Sequence, residues 1–470
     1  MCDHHGYCAQ RVLAVSDPFD ELYETGVLEE LPPETERAAA RAMPAEPFAL
    51  RGCVITPDRK VEDGYVVVSG PKIASISSSK PDDVRILETE GVILPGLIDL
   101  HGHPEYNVFA AWEPPRLFPN RYAWRASDEY RVVVKEPWKR LTENPSLLRD
   151  LTRYAEGRAL VGGVTAIQGA SAKYPDKEEA LVRNVDLRIF GQHKARSVVD
   201  LSRSTDGDRR GLRAKIESGD VNAVYIHLAE GLPSNERSRR EFDELVDANL
   251  LTPATVIIHG TALSSQQLRD AKDAGAKLVW SPQSNLRLYG ETTPAAEALD
   301  LGVPMGLGAD WLPSGSQSLL SEQKVARRTL ERQGTGLTRS QLAKKLVEMV
   351  TSDAAEIAGL GNTLGHLAAD GVADILVLER HIEDPWENVV DADPSWVELV
   401  MIGGDLAYGR ADWIESLAAP AEKEDLIAWG KQMVMDTSYV ARPAGTTSPR
   451  LHELRARLLD RYPLTGPIFA

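Results

Sequence analysis

The sequence has little cysteine and no long hydrophobic run. Only three cysteines occur in 470 residues, at Cys2, Cys8 and Cys53. They are too few and too close to the N-terminus to cross-link the chain, which favours a reducing compartment. No apolar stretch of about 18 residues is present, and the N-terminus lacks a basic segment followed by an apolar one. We therefore expect a soluble, cytoplasmic protein that has no membrane partner.

Basic residues are also in deficit. Lys and Arg total 53 against 70 Asp and Glu, which gives a formal net charge of −17. An acidic surface repels a phosphate backbone, so we do not expect nucleic acid as a partner. We expect a small-molecule substrate in a local pocket, and a homo-oligomer (a dimer or larger) as the assembly.

The order of sequence patterns predicts an α/β protein with one large domain and one small domain. Residues 1–45 are charge-rich and are interpreted as an N-terminal extension. The β-rich runs of residues 46–91 and 364–412 are expected to share one small β-sandwich domain, because the ends of a domain often lie close together. Between them, residues 92–363 alternate strand-like and helical runs and predict a (β/α)8 TIM barrel. Residues 413–470 are predicted to form a C-terminal helical tail.

The predicted barrel contains eight strand candidates separated by helical patterns. Helices are expected near Ser264–Ala274 and Ser340–Val350, with Ser340 as the N-cap of the second. The strand candidates are Gly96–Leu100, Val164–Gln168, Leu187–Phe190, Arg196–Leu201, Ala223–Ile226, Thr255–Ile258, Lys277–Trp280 and Pro304–Gly308.

Two histidines follow the first of these strands. His101 and His103 are two residues apart, and in an extended backbone such residues point to the same side. Both imidazoles are therefore able to meet one metal ion. A His-x-His pair alone is a weak signal, because most isolated pairs are incidental.

Further polar residues follow other strands of the predicted barrel. His227 ends one apolar run, Glu230 comes three residues later, and His259 and Asp310 end two more runs. A polar residue after a buried strand needs a partner. Because the carboxyl ends of barrel strands form one face, where catalytic groups collect, we expect these side chains to meet the His-x-His pair.

The motifs around these residues resemble those of the amidohydrolase superfamily of metal-dependent hydrolases and deaminases. His-x-His, His-x-x-Glu, a lone His and a final Asp together are similar to its mononuclear branch. That branch holds cytosine, guanine, adenosine and aminotriazine deaminases or chlorohydrolases, and imidazolonepropionase. The resemblance extends over about residues 48–410 and is carried by Val92–His103, Gly163–Ala166, Ser281–Asn285, Gly365–Leu367 and Gly371–Val377.

The predicted site has a chemistry that follows from its residue types. Neutral imidazoles and a carboxylate suit one divalent metal, with Zn²⁺ expected first and Fe²⁺ as the alternative. Asp310 is expected to take a proton from water, His259 to hydrogen-bond hydroxide or polarise the substrate, and Glu230 to shuttle protons to the substrate. The expected metal ligands are His101, His103, His227 and Asp310.

The segment after His103 is rich in aromatic residues and has no clear periodicity. It is interpreted either as a lid over the barrel mouth or as packing over the barrel end. Trp311 stands where related deaminases often have Ser, which leaves the substrate open. The expected substrate-binding residues are Asn107, Trp112, Arg121, Trp124, Gln283, Asn285 and Trp311.

Three functions stay open at this point. The first is hydrolytic deamination or dehalogenation of an N-heterocycle or an amidine-like molecule. The second is ring opening of a cyclic amide, and the third is a non-catalytic metal-binding barrel. A binuclear site through Lys194 is disfavoured because an exposed loop lysine is the simpler interpretation. A second zinc site at Cys2, His4, His5 and Cys8 is disfavoured because no second ligand pair follows it.

Overall fold

The computed structural model describes residues 43–56, 59–169, 180–186, 195–198, 201–420, 422–438, 448–466 and 468. Short 3-10 helices lie at Pro104–Tyr106, Leu201–Arg203 and Pro394–Trp396, and a π-helical turn lies at Arg131–Lys135. The strands are β1 (Phe48–Ile55), β2 (Lys60–Ser69), β3 (Lys72–Ser77), β4 (Arg85–Pro95), β5 (Leu97–Asp99), β6 (Val164–Ile167), β7 (Arg183–Asn184), β8 (Ala195–Val198), β9 (Ala223–Leu228), β10 (Thr255–His259), β11 (Lys277–Trp280), β12 (Met305–Leu307), β13 (Ile375–Leu378), β14 (Val397–Ile402), β15 (Asp405–Arg410), β16 (Lys423–Ala428) and β17 (Lys431–Asp436).

Helices fill most of the connections between these strands. Within the described ranges, none of them is long and apolar enough to cross a membrane. The helices are α1 (Arg121–Arg125), α2 (Asp128–Tyr130), α3 (Glu136–Thr142), α4 (Pro145–Val161), α5 (Asp206–Glu217), α6 (Glu236–Asp247), α7 (Ser265–Asp273), α8 (Pro282–Tyr289), α9 (Ala295–Leu301), α10 (Leu319–Gln333), α11 (Arg339–Glu348), α12 (Ser352–Ile357), α13 (Pro385–Asp391), α14 (Ala411–Leu417) and α15 (Leu451–Arg461).

Strands β5 to β12 form two parallel ladders. One has the order β5-β6-β7 and the other β12-β11-β10-β9-β8. Strands such as β9 and β10 are buried along their whole length, as parallel strands covered on both faces are. The ladders meet between β12 and β5, where the Asp310 N–H donates to the His101 carbonyl at 2.7 Å and Leu100 N–H to Leu307 at 3.3 Å. This seam brings the residues that follow β5 and β12 side by side.

The flanking strands lie in a single sheet. Its order is β16-β17-β15-β14-β13-β4-β1-β2-β3, and β4 pairs antiparallel with β13 from Val92↔Leu378 to Pro95↔Ile375. Its core includes Phe48, Val66, Ile93, Val377 and Trp413. The N-terminal and C-terminal flanks of the large unit therefore share one core.

The prediction of a helical tail for residues 413–470 is wrong for residues 423–436. Strands β16 and β17 form a hairpin there, and β17 joins the sheet through β15. The turn consists of Trp429 and Gly430, with φ of 48° and 80°, and two-residue turns with positive φ match the twist of a hairpin. Among the described residues of the tail, the helical ones belong to α14 at its start and α15 near its end.

One smaller prediction is wrong, and others concern residues outside the described ranges. The N-cap at Ser340 is wrong, because the Thr338 side chain accepts from Gln341 N and caps the helix, while Ser340 Oγ donates to Asp384 Oδ2 at 2.5 Å. The third barrel strand was expected at Leu187–Phe190, which lies outside the described residues, and β7 precedes it. Residues 1–42 and 187–194, which contain the N-terminal Cys and His group and Lys194, are also outside them.

A buried ion pair joins β7 to the loop before β13. Arg183 donates from Nε and a terminal nitrogen to the two Asp374 carboxylate oxygens at 2.9 and 3.0 Å, and both side chains are nearly inaccessible. Removing one partner of such a pair leaves a buried charge uncompensated. The Arg183→Met variant is therefore expected to lose about 3–5 kcal/mol in the free energy of unfolding.

Urea unfolding measures this loss against a matched exposed pair. Arg213 lies 3.7 Å from Glu217 on the surface of α5. The Arg213→Ala variant is expected to lose no more than about 1 kcal/mol, as exposed pairs do. An equal loss in the two variants would contradict the structural role of the Arg183 pair.

Candidate active site

Five polar side chains meet at the carboxyl ends of β5, β9, β10 and β12. His101 and His103 follow β5, His227 lies near the end of β9, His259 ends β10, and Asp310 follows β12. Each of them is at most 5% exposed. The one-face rule for parallel strands thus brings together the five residues that the sequence analysis placed at strand ends.

The atoms of these side chains surround one point. Nε2 of His101 and Nε2 of His103 lie 3.2 and 3.5 Å from Asp310 Oδ1. Candidate ligand atoms of His101, His103 and His227 lie within 4.8 Å of one another, and so do those of His101, His259 and Asp310. This spacing is compatible with a single metal ion at the centre.

Burial sets the protonation states that a metal site requires. It lowers the pKa of His103 and of His259 to about 3, and the pKa of His227 well below its ordinary value. Burial opposes ionisation of Asp310, but the imidazoles around it, His101 first, outweigh burial and hold its pKa below the usual range. Neutral imidazoles with an ionised carboxylate form a mixed N/O donor set, which fits Zn²⁺ or Fe²⁺.

The backbone at the ends of two strands is held in a rare conformation. His259 and Asp310 have φ of 69° and 60°, which non-glycine residues seldom adopt. Beside them, Asp99 Oδ1 accepts from the N–H of His101 at 3.2 Å and of Ala309 at 3.1 Å, so that it ties the ends of β5 and β12 together. Such strained positions persist where surrounding contacts fix them, and they cluster at functional sites.

Glu230 lies beside this cluster. Its Oε2 is 3.7 Å from His259 Nε2, and its Oε1 accepts a hydrogen bond from the Tyr289 hydroxyl at 2.5 Å. Burial raises the pKa of Glu230, against opposing effects of Arg121 and Tyr289. A carboxyl group with a raised pKa retains its proton nearer to neutral pH, as a general acid must.

Asn285 fixes the tautomer of His259. The Thr292 hydroxyl donates to Asn285 Oδ1 at 3.2 Å, and Asn285 Nδ2 lies 3.0 Å from His259 Nδ1. An amide nitrogen only donates, so Nδ1 accepts and the proton of the neutral imidazole is on Nε2. His259 therefore presents an N–H toward Glu230. The structure gives Asn285 this supporting contact, where the sequence analysis expected a substrate contact.

Arg121 is placed differently from its expected substrate-binding role. It is 2% exposed, and one terminal nitrogen donates to Glu241 at 3.0 Å and to the His227 carbonyl at 3.2 Å. Its other terminal nitrogen donates to the Tyr122 hydroxyl at 3.0 Å. These contacts support the end of β9, and sequence reasoning missed Glu241 because it lies on α6, away from any strand end.

Aromatic rings extend from the cluster toward Trp311. The Tyr106 ring lies 6.2 Å from the His103 ring and 5.5 Å from Trp311, centroid to centroid, and Trp124 lies 5.5 Å from Trp311. Tyr106, Trp124 and Trp311 are all buried. The segment after β5 therefore packs over the site, and both Trp124 and Trp311 lie in its aromatic wall.

The other expected substrate-binding residues connect loops around the site. Asn107 Oδ1 accepts from Leu312 N at 2.8 Å. The Trp112 N–H donates to the Pro313 carbonyl at 2.7 Å, and the Gln283 N–H donates to Glu322 at 3.0 Å. The first two contacts fasten the loop after β12 to the segment after β5, and the third joins α8 to α10.

Comparisons with known proteins agree on one family. The amidohydrolase family model matches residues 222–407. A 5-methylthioadenosine/S-adenosylhomocysteine deaminase of Teredinibacter turnerae is 26% identical over 370 residues, 70% of this chain and 82% of that protein. A guanine deaminase of Pongo abelii is 24% identical over 413 residues, 78% of this chain and 88% of that protein.

Solved structures show the same fold. An adenosine deaminase from Xanthomonas campestris with bound zinc has a TM-score of 0.64 at 16% identity, over 79% of this chain and 96% of that chain. A triazine hydrolase from Arthrobacter aurescens has a TM-score of 0.64 at 18% identity, over 88% of this chain and 99% of that chain. The family-model match and the curated relatives, together with the motifs at the strand ends, support the amidohydrolase superfamily for this chain.

Proposed function

We propose that this protein is a metal-dependent hydrolase that replaces an amino or halogen substituent of an N-heterocycle by hydroxyl. The observation that carries the proposal is the buried cluster of imidazoles and one carboxylate with a second carboxyl group, Glu230, beside it. The curated relatives are named as deaminases and one structural neighbour as a triazine hydrolase, which supports this reaction class. We also propose that the protein is cytoplasmic and assembles as a homo-oligomer.

The proposed site holds one divalent ion, Zn²⁺ in preference to Fe²⁺, on one face of a closed (β/α)8 barrel, with the single sheet of the flanking strands beside it. Its ligands would be His101, His103, His227 and Asp310. When bound, the ion supplies Lewis acidity, which brings the pKa of a water molecule toward neutrality. The zinc in one solved relative supports this choice of metal.

Three residues of the chain would transfer protons or stabilise charge during the reaction. Asp310, ionised at neutral pH, is positioned to accept a proton from the attacking water. His259, with its N–H on Nε2, stabilises negative charge that develops on the attacking oxygen. Glu230 delivers its proton to the ring nitrogen next to the reacting carbon and then relays the proton that Asp310 accepted to the leaving amine. After ammonia leaves, the product returns one proton to Glu230, so that water and R–NH₂ become R–OH and ammonia and both carboxyl groups regain their starting states.

The wall of the site favours a flat substrate. Tyr106, Trp124 and Trp311 present large rings close to the cluster, and planar heterocycles stack on such rings. Arg121, whose guanidinium donates to Glu241, Tyr122 and the His227 carbonyl, is already engaged with the protein. We therefore propose recognition mainly by stacking and by the proton-transfer residues.

A product assay tests this proposal. Zinc-loaded protein is incubated with 5′-methylthioadenosine, S-adenosylhomocysteine, adenosine, guanine and a chloro-substituted triazine, and ammonia and chloride are measured. At least one compound is expected to release ammonia or chloride in equal amount to its hydroxylated product, and prior removal of the metal with a chelator is expected to stop the release. Hydrolysis without ammonia or halide, or no turnover of any compound, would contradict the proposed reaction.

A further inference from the structure

Tyr289 links the aromatic wall to Glu230, and the motifs at the strand ends do not contain it. Its hydroxyl oxygen lies 2.8 Å from Trp124 Nε1 on one side and 2.5 Å from Glu230 Oε1 on the other. All three side chains are at most 4% exposed. The three residues thus form a buried chain of hydrogen bonds that ends at the proposed proton shuttle.

The direction of this chain follows from the chemistry of its groups. An indole N–H only donates, so the Tyr289 oxygen accepts from Trp124. The single hydroxyl proton is then left for Glu230, and Oε1 is an acceptor. Burial is the main reason that the pKa of Tyr289 is far above its ordinary value, so the hydroxyl keeps this proton.

The hydrogen bond from Tyr289 to Oε1 influences which oxygen of Glu230 carries a proton. Because Oε1 accepts the hydrogen bond from Tyr289, protonation of Glu230 is favoured on Oε2. That oxygen lies 3.7 Å from His259 Nε2 and faces the cluster of imidazoles. The hydrogen bond therefore directs the transferable proton toward the place where substrate would react.

Local structure holds Tyr289 in this position. It is the last residue of α8, which begins with Pro282 at its first turn and ends at Gly290 in the left-handed conformation, with φ of 73°. The Phe118 N–H donates to the Leu288 carbonyl at 2.8 Å, which fastens this helix end to the segment after β5. The hydroxyl is thus held by a packed helix end.

We propose that Tyr289 is a positioning residue, which fixes the Glu230 carboxyl group so that its Oε2 carries the shuttled proton, while Trp124 orients the Tyr289 hydroxyl. The inference rests on the proposed function, since it assigns Glu230 the transfer of protons to substrate. Tyr289 acts through Glu230 and is not placed in contact with the reacting atoms.

Kinetics of the Tyr289→Phe variant test the inference with the panel compound that the wild type turns over fastest. A hydrogen bond to a carboxylate contributes about 1.5–3 kcal/mol, so kcat is expected to fall by about 10- to 100-fold. KM and zinc content are expected to stay within about threefold, because substrate and metal contacts are retained. Trp124→Phe removes the indole N–H and keeps the Tyr289 hydroxyl and the Glu230 carboxyl group. It is expected to give a smaller fall in kcat.

A double-mutant cycle separates positioning from a general structural effect. In a Glu230→Gln background, Tyr289→Phe is expected to change kcat by less than about twofold, because the carboxyl group through which Tyr289 acts is already absent. Tyr408→Phe is the matched control, since Tyr408 is a fully buried tyrosine on β15 in the other sheet. It is expected to leave kcat unchanged.

Crystal structures of zinc-loaded wild type and Tyr289→Phe give a readout that needs no substrate. The Glu230 carboxyl group is expected to rotate away from its wild-type position or to occupy two positions in the variant. An unmoved carboxyl group, or a kcat within about twofold of wild type, would overturn the inference. If no panel compound is turned over, the proposed function fails, and the position of Glu230 still decides this inference.

Discussion

Replacing His103 with Ala is expected to reduce bound zinc from about one ion per chain to below about 0.1 and to abolish measurable turnover. His103 Nε2 lies 3.5 Å from Asp310 Oδ1 inside the cluster, and its ligand atom lies within 4.8 Å of those of His101 and His227. Three donors bind a divalent ion much more weakly than four. Metal analysis after dialysis, together with the ammonia assay, measures both effects.

The matched control for this variant is His381→Ala. His381 is 44% exposed on its side chain and lies 3.4 Å from Glu379, in the region of the flanking sheet. Zinc content and kcat are expected to be those of the wild type. Full zinc occupancy in the His103→Ala protein would remove His103 from the ligand set and contradict the proposed site.

Replacing Glu230 with Gln is expected to lower kcat by about 10²- to 10⁴-fold, the usual contribution of a general acid or base. Gln keeps the shape of the side chain but carries no transferable carboxyl proton. Because Glu230 is not in the proposed ligand set, zinc content is expected to stay at about one ion per chain. The measurements are steady-state kinetics and metal analysis on the same preparations.

Glu322→Gln controls for the general effect of changing a buried carboxyl group. Burial raises the pKa of Glu322 to about 8, and its hydrogen-bond partners are Gln283 N and Ser316 Oγ. Its variant is expected to change kcat by less than about threefold. Turnover by Glu230→Gln at the level of this control, with zinc retained, would exclude the proton-shuttle role.

Local sequence rules were sufficient for the residues at strand ends. The two-residue spacing of His101 and His103, and the position of His259 and Asp310 after apolar runs, depend on alternation along one strand and on the shared face of parallel strands. These rules need no knowledge of distant contacts. The structure accordingly brings all these side chains together.

Tertiary contacts decide what the sequence left open. Arginine is a residue type that often binds substrate, but the Arg121 guanidinium donates a hydrogen bond to Glu241 on α6. Tyr289, the last residue of α8, reaches Glu230 in the loop after β9 through a tertiary contact that no motif reports. The β16-β17 hairpin was missed because its turn, Trp429 and Gly430, follows a run of mixed charged and apolar residues rather than a clear alternation.

Turnover of the best panel compound in H₂¹⁸O by zinc-loaded wild type tests the proposed hydrolysis most directly. The expected product has gained one ¹⁸O and lost one nitrogen or halogen, with the lost group recovered as ammonia or halide. A product that contains ¹⁸O but retains every atom of the substrate would show addition of water by ring opening. That result would contradict deamination and dehalogenation together.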